Sequence, residues 1–212
     1  MNLYEKYHIS RTDERLQLFE ILRFEFGVES GIYPGCFVHV TPSFVIPGMV
    51  YVDSDVRARR FFNDGTADSI VRKRKSYSQL AGIEFIQQDY GEPLLICEES
   101  IDLLISQYAG FVSESCTRYL KPGGYLVANN SHGDAGLANS DSRFELIAVI
   151  DRRGERFSLK TDNLDQYFIA KSRSVPSEKQ PLRGYLKKLG RGIGYTRSAA
   201  EYVFRYTKET AN

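Results

Sequence analysis

IDLLISQYAGFVSESCTRYLKPGGYLVANN, residues 101–130, decides the architecture. Its first eight residues, Ile101 to Tyr108, are nearly continuously apolar, as expected of a parallel strand covered on both faces. GFVSESCTRYL then reads as a helix. Lys121-Pro122-Gly123-Gly124 stops it, because proline cannot continue a helix and glycine supplies the turn. YLVANN is a second strand, so the stretch is one strand–helix–strand unit.

The same alternation extends in both directions. Upstream, MVYVD (Met49–Asp53) and IEFIQQD (Ile83–Asp89) are strands that each end in an acid, and Ser-Gly-Ile-Tyr-Pro after residue 29 opens a strand, turn and brief helix. Asp13 is placed to cap a helix over ERLQLFEILRFEF, ended by Gly27. Two more helices are expected, from about Asp55 through RARRFFND and from Ala67 to Leu80. Downstream, FELIAVIDRRGERFSLK is a hairpin turned at Arg152-Arg153-Gly154, and SAAEYVFRY reads as a helix. Strands alternating with helices predict an α/β fold, mostly parallel, with an antiparallel hairpin near the C-terminus.

Of 212 residues, 42% are hydrophobic and 26% charged, which excludes disorder, collagen and coiled coil. Lys and Arg number 28 against 27 Asp and Glu, so net charge alone suggests neither nucleic acid nor membrane. The charge is unevenly spread: residues 171–212 carry ten basic and three acidic residues, leaving the remainder at −6. Cys36, Cys97 and Cys116 have no metal-ligand spacing, so no metal is expected. MNLYEKYHISRT lacks the apolar core of a signal peptide, and no window reaches 18 uncharged apolar residues. A reduced, cytoplasmic protein is expected, divided into an α/β domain over 1–170 and a basic extension over 171–212.

Ligands of an open parallel sheet bind beyond the carboxyl ends of its strands. The residues there are Tyr33, Pro34, Gly35 and Cys36; Asp53 and Ser54; Asp89 and Tyr90; Gln107 and Tyr108; and Asn129 to Asp134. Asp53 stands near the separation of about 20 residues at which an acid meets ribose hydroxyls. A carboxylate has acceptors for both hydroxyls of a vicinal diol. Asp89 is placed to accept from an exocyclic purine amine. Strand-terminal acids also cap the helices that follow them, and that reading stays open. His132 is a candidate base and equally a candidate turn-holder, while His39 reads as a buried, hydrogen-bonded histidine in preference to a polar contact from the loop to a bound ligand. Ser131-His132-Gly133-Asp134 is not a hydrolase triad, because consecutive residues do not form such a chain and no G-x-S-x-G elbow exists. The Arg72–Lys75 run reads as a solvated helix face.

The fourth-strand segment with its LKPGG turn, together with VYVDSD and IEFIQQDY, resembles the class I S-adenosylmethionine-dependent methyltransferases over residues 14–170. The resemblance implies a Rossmann-like, doubly wound sheet of seven strands and S-adenosylmethionine as cofactor. By the same analogy Tyr33, Pro34, Gly35, Cys36, Asp53, Ser54, Asp89, Tyr90 and Gln107 line the cofactor, with His132 and Tyr108 on the catalytic side. A small-molecule acceptor is expected. The [DN]-P-P-[YF] tetrad of nucleobase-amine enzymes is missing after the fourth strand. GIYPGCFVHV carries Gly31 and Gly35 but not the family's Gly-x-Gly-x-Gly. That departure keeps a rival reading open, a non-catalytic scaffold of the same fold that binds nucleic acid through its basic extension. The extension otherwise packs as a lid or against a second subunit of a homodimer. A nicotinamide-dependent Rossmann-like enzyme is a third reading.

Overall fold

A computed structural model describes residues 1–11, 14–171 and 182–208. Asp13 and the Arg173 and Lys179 part of the basic extension lie outside the described residues. Eight strands form one sheet: β1 (Ser30–Pro34), β2 (Gly48–Val52), β3 (Gly82–Ile86), β4 (Ile101–Ser106), β5 (Leu120–Ala128), β6 (Phe144–Arg153), β7 (Arg156–Lys160) and β8 (Glu201–Tyr206). Their order is β3-β2-β1-β4-β5-β8-β6-β7. The first five strands pair in parallel, and β8 runs antiparallel between β5 and β6. The helices are α1 (Leu16–Phe26), α2 (Val56–Asn63), α3 (Thr66–Arg74), α4 (Val112–Cys116), α5 (Asp134–Ser140) and α6 (Leu182–Leu189).

Burial on both faces explains the apolar runs. Leu103, Ile105, Tyr51 and Val127 turn to one face, against Leu18, Phe19 and Leu22 of α1 and Phe61, Phe62 and Val71 of α2 and α3. Ile32, Val52, Leu104 and Leu126 turn to the other, against Val112 and Cys116 of α4 and Ala135 and Ala138 of α5. Alternate residues of one strand thus feed two cores, as the strand period of two requires.

Four expectations are corrected. SAAEYVFRY supplies β8 rather than a helix, and Tyr202, Val203 and Phe204 are wholly buried between β5 and β6. Lys121-Pro122-Gly123-Gly124 lies inside a strand: α4 and the 3₁₀ turn that continues it (Thr117–Tyr119) end just before β5, and the four residues form an irregularity early in β5, with Gly123 at φ +83°. The helix expected to reach Leu80 ends at Arg74, where the Lys75 ammonium takes over the carbonyls of Tyr77 and Gln79. Among the described residues the sheet has eight strands, not seven, because β7 adds an antiparallel edge to β6. The hairpin itself turns at Gly154 as expected.

Because β8 lies inside the sheet, a chain ending at residue 199 leaves β5 and β6 with exposed backbone and Tyr202 and Phe204 unreplaced. Such a chain should lose the cooperative urea transition followed by circular dichroism. A normal transition would show that β8 is dispensable.

Candidate active site

The carboxyl ends of β1, β2, β3 and β4 share one edge of the sheet, and the residues that follow them converge there. Gly35, directly after β1, has φ +67° and donates its N–H to the Val52 carbonyl at 2.8 Å. A side chain at Gly35 would overlap Ala109, which closes over the turn from the β4 side. Asp53 stands at the end of β2. Its Oδ2 accepts from the Phe37 N–H at 2.7 Å and its Oδ1 from the Asp55 N–H at 2.8 Å. One carboxylate therefore fixes the loop after β1 and the entry to α2, while the cap of α2 itself is Asp55, which accepts from the Arg57 N–H. Ser54 beside it is exposed.

After β3, Asp89 is exposed and its Oδ1 accepts from the Gly91 N–H at 2.8 Å. The Tyr90 hydroxyl donates to the Ala109 carbonyl, tying the β3 loop to the β4 loop. Cys36 is buried; burial, and next the charge of Asp53, push its thiol well up, so it stays protonated and unreactive.

The residue after β4 gathers the site. Gln107 is 1% exposed, and its Oε1 accepts from the Arg15 guanidinium at 2.9 Å and from the Tyr33 hydroxyl at 3.2 Å. Its Nε2 donates to the buried Glu201 carboxylate at 2.8 Å. Tyr108 leaves this cluster. It has φ +59°, is 60% exposed, and lies with its ring 4.8 Å from the Arg15 guanidinium carbon. A non-glycine residue held in the left-handed region stores strain, and such residues gather at functional sites. Arg15 and Glu201 escaped sequence reasoning. They stand 92 and 94 residues from Gln107, and no local pattern announces the pairing.

The segment before α1 roofs these strand ends. His8 stacks on His39 with centroids 4.3 Å apart, and Tyr7 sets its ring edge-on to Phe37. A cavity of about 150 Å³ remains, lined by His8, Arg15, Tyr33, Gly35, Cys36 and Gln107 among others. Beyond Arg15, between the start of α1 and the β6–β7 turn, lies a larger cavity of about 420 Å³ walled by Leu16, Glu20, Arg152 and Phe157.

His132 does not join this cluster. It is exposed beyond β5, with Nδ1 3.1 Å from the Ser131 hydroxyl. That hydroxyl donates to Asn129 Oδ1 at 2.6 Å, so its oxygen is left to accept from Nδ1–H, and the Nε2 lone pair faces outward. No hydrogen bond or ring contact joins His132 to Tyr108 among the described residues. Asp134 does not orient it either. The Asp134 carboxylate, 2% exposed, accepts from the Ser106 hydroxyl at 2.5 Å and from the Ser113 N–H and hydroxyl at 2.9 and 2.5 Å. It pins the end of β4 to the start of α4.

Burial holds the Asp134 carboxyl above the ordinary carboxylate range, although the bonds from Ser106 and Ser113 pull downward. Unfolded, the group ionises at about 3.9. Its contribution to stability therefore falls as pH rises from that value through the higher folded one. Asp134→Asn cannot ionise and removes this fall. In urea titrations the variant should gain on the native chain between pH 4 and pH 7; a pH-independent difference would contradict the shift.

The chain matches no family model and no curated protein sequence. Its fold is similar to that of solved structures. A SAM-dependent O-methyltransferase from Thermotoga maritima aligns at TM-score 0.51 and 10% identity, covering 92% of this chain and 67% of that one. A methyltransferase from Geobacter sulfurreducens aligns at TM-score 0.49 and 17% identity over 73% and 84%. A second Thermotoga maritima SAM-dependent methyltransferase aligns at 0.46 and 16% over 97% and 95%. The first of these, together with the strand order and the β8 insertion, establishes that the chain has the fold of class I S-adenosylmethionine-dependent methyltransferases.

Proposed function

We propose that the protein is an S-adenosylmethionine-dependent methyltransferase acting on a small-molecule acceptor. The observation that carries this is Asp53 at the end of β2. Each of its oxygens accepts one backbone N–H and keeps a second lone pair, enough for the two hydroxyls of a ribose. Cofactor sites run to about 300–1,000 Å³, so the cavity at β1 and β4 suits only the amino-acid end of such a molecule. The nucleoside end would lie along the open shelf, with Asp53 and Ser54 at the ribose and Asp89 and Tyr90 at the base. Tyr33, Gly35, Cys36 and Gln107 form the wall at the amino-acid end, while Pro34, the buried last residue of β1, stands behind that lining.

When bound, S-adenosylmethionine supplies a methyl group already activated on a sulfonium, so transfer depends mainly on in-line positioning. Tyr108 borders that point and would align the acceptor. His132 makes no contact with Tyr108 and lines neither cavity, so a role as base requires an acceptor that reaches from Tyr108 to the end of β5. The cavity of about 420 Å³ beyond Arg15 has the volume for a small acceptor.

One observation favours the second reading, a non-catalytic binding module that uses the basic extension on nucleic acid. The space that glycines leave open after β1 in the family is narrowed here by Ala109 over Gly35. Calorimetric titration with S-adenosylhomocysteine separates the two. The native chain should bind at micromolar concentration, and Asp53→Ala, checked for folding by thermal melting, should bind about 10–100-fold more weakly. A folded native chain blind to the nucleoside, yet binding RNA with strong salt dependence, would favour the module.

A further inference from the structure

The chain between β4 and α4, residues 107–112, touches each neighbouring part of the strand-end rim. The Tyr108 ring lies on Arg15. Ala109 covers Gly35 of the β1 turn, and its carbonyl receives the Tyr90 hydroxyl from the β3 side. Gly110, at φ +93°, passes so near Tyr90 that a side-chain carbon there would lie 3.0 Å from the hydroxyl. Tyr108 and Gly110 are thus both left-handed, and for tyrosine that backbone is strained. Such a conformation persists only where the surroundings over-determine it.

One carboxylate holds the neck of this loop. Ser106 ends β4 and Ser113 stands in the first turn of α4. Asp134, from the start of α5, takes the Ser106 hydroxyl and the Ser113 N–H on Oδ2, at 2.5 and 2.9 Å, and the Ser113 hydroxyl on Oδ1, at 2.5 Å. All three residues are buried, so water does not compete for these bonds. Both ends of the loop therefore rest on a single side chain from a third element. The bonds to Asp134 come from the neck alone, and none comes from Tyr108, Ala109 or Tyr90.

We infer that Asp134 is a positioning residue: by bonding both ends of the loop it holds Tyr108 in its left-handed conformation and Ala109 against Gly35, and so shapes the wall that receives the donor's amino-acid end. The last step rests on the methyltransferase reading; the hold on Tyr108 does not. The role requires acceptors in the right places rather than a charge. In Asp134→Asn the amide oxygen can accept from Ser106 and from the Ser113 N–H, while the amide nitrogen donates to the Ser113 hydroxyl, which turns from donor to acceptor. Asp134→Ala instead leaves two hydroxyls and an N–H without an acceptor, away from water.

The chain has no tryptophan, so Tyr108→Trp places a single fluorescent reporter on the loop. Its anisotropy decay is compared with Asp134 native, Asp134→Asn, Asp134→Ala and Ser106→Ala. Calorimetry with S-adenosylhomocysteine is run on the same set with Tyr108 retained. The reporter ring should be restrained in the native and Asp134→Asn chains, and their affinities should agree within about twofold. Asp134→Ala should show nanosecond motion of the ring and bind about tenfold more weakly, and Ser106→Ala, which frees only the β4 end, about threefold. If Asp134→Ala does not fold, Ser106→Ala decides by the same two readings. A carboxylate that only stabilises would lower the melting temperature of Asp134→Ala and leave ring motion and affinity unchanged, which would overturn the inference. Equal loss in Asp134→Asn and Asp134→Ala would overturn it too, by making charge the cause. A native chain that ignores the nucleoside, with the ring freed only in Asp134→Ala and Ser106→Ala, would overturn the donor reading and keep Asp134 as the anchor of Tyr108.

Discussion

The amide of Gln107 is the constraint on which the site depends. One buried side chain receives Arg15 from the approach to α1 and Tyr33 from β1, and gives to Glu201 at the start of β8. An amide offers two donors and an acceptor with two lone pairs, and three of these four are satisfied by partners on three different segments. A buried network of this kind is costly when broken, because each loss leaves a polar group unpaired away from water. It fixes where the N-terminal segment crosses the strand ends and how closely β8 approaches β4 through the intervening β5.

The two ends of the proposed donor site are built by different means. On the β2 and β3 side, the acids Asp53 and Asp89 stand at the rim, with backbone N–H groups as partners and lone pairs to spare. On the β1 and β4 side the walls are side chains in mutual contact, roofed by His8, and the room is small. A loop without the glycine triplet is compatible with the first arrangement and alters the second.

Much of the fold was legible because burial on both faces leaves a direct mark in sequence. β2, β4 and the second half of β5 are apolar runs, whereas β3, at the sheet edge, has no buried residue; the acids at the ends of β2 and β3 follow from the change from core to edge. β8 was not legible. Ser-Ala-Ala-Glu favours a helix locally, whereas Tyr202, Val203 and Phe204 are held as strand by pairing with β5 and β6, elements far away in the chain. The LKPGG segment was read as the end of a helix because proline and glycine signal interruption without saying of what; here they bulge a strand. At the site, Asp53, Gly35 and Gln107 were reachable from strand ends alone. Arg15, His8 and Glu201 were not, since their roles exist only once the chain has closed on itself.

The proposed donor site occupies the carboxyl edge of β1 to β4, where a nucleoside would bind. Amide hydrogen exchange with and without S-adenosylhomocysteine tests it most directly. Slowed exchange confined to residues 33–37, 53–55, 89–91 and 107–109 is expected. Protection confined to the cavity between α1 and the β6–β7 turn, or no change anywhere in a folded chain, would contradict it.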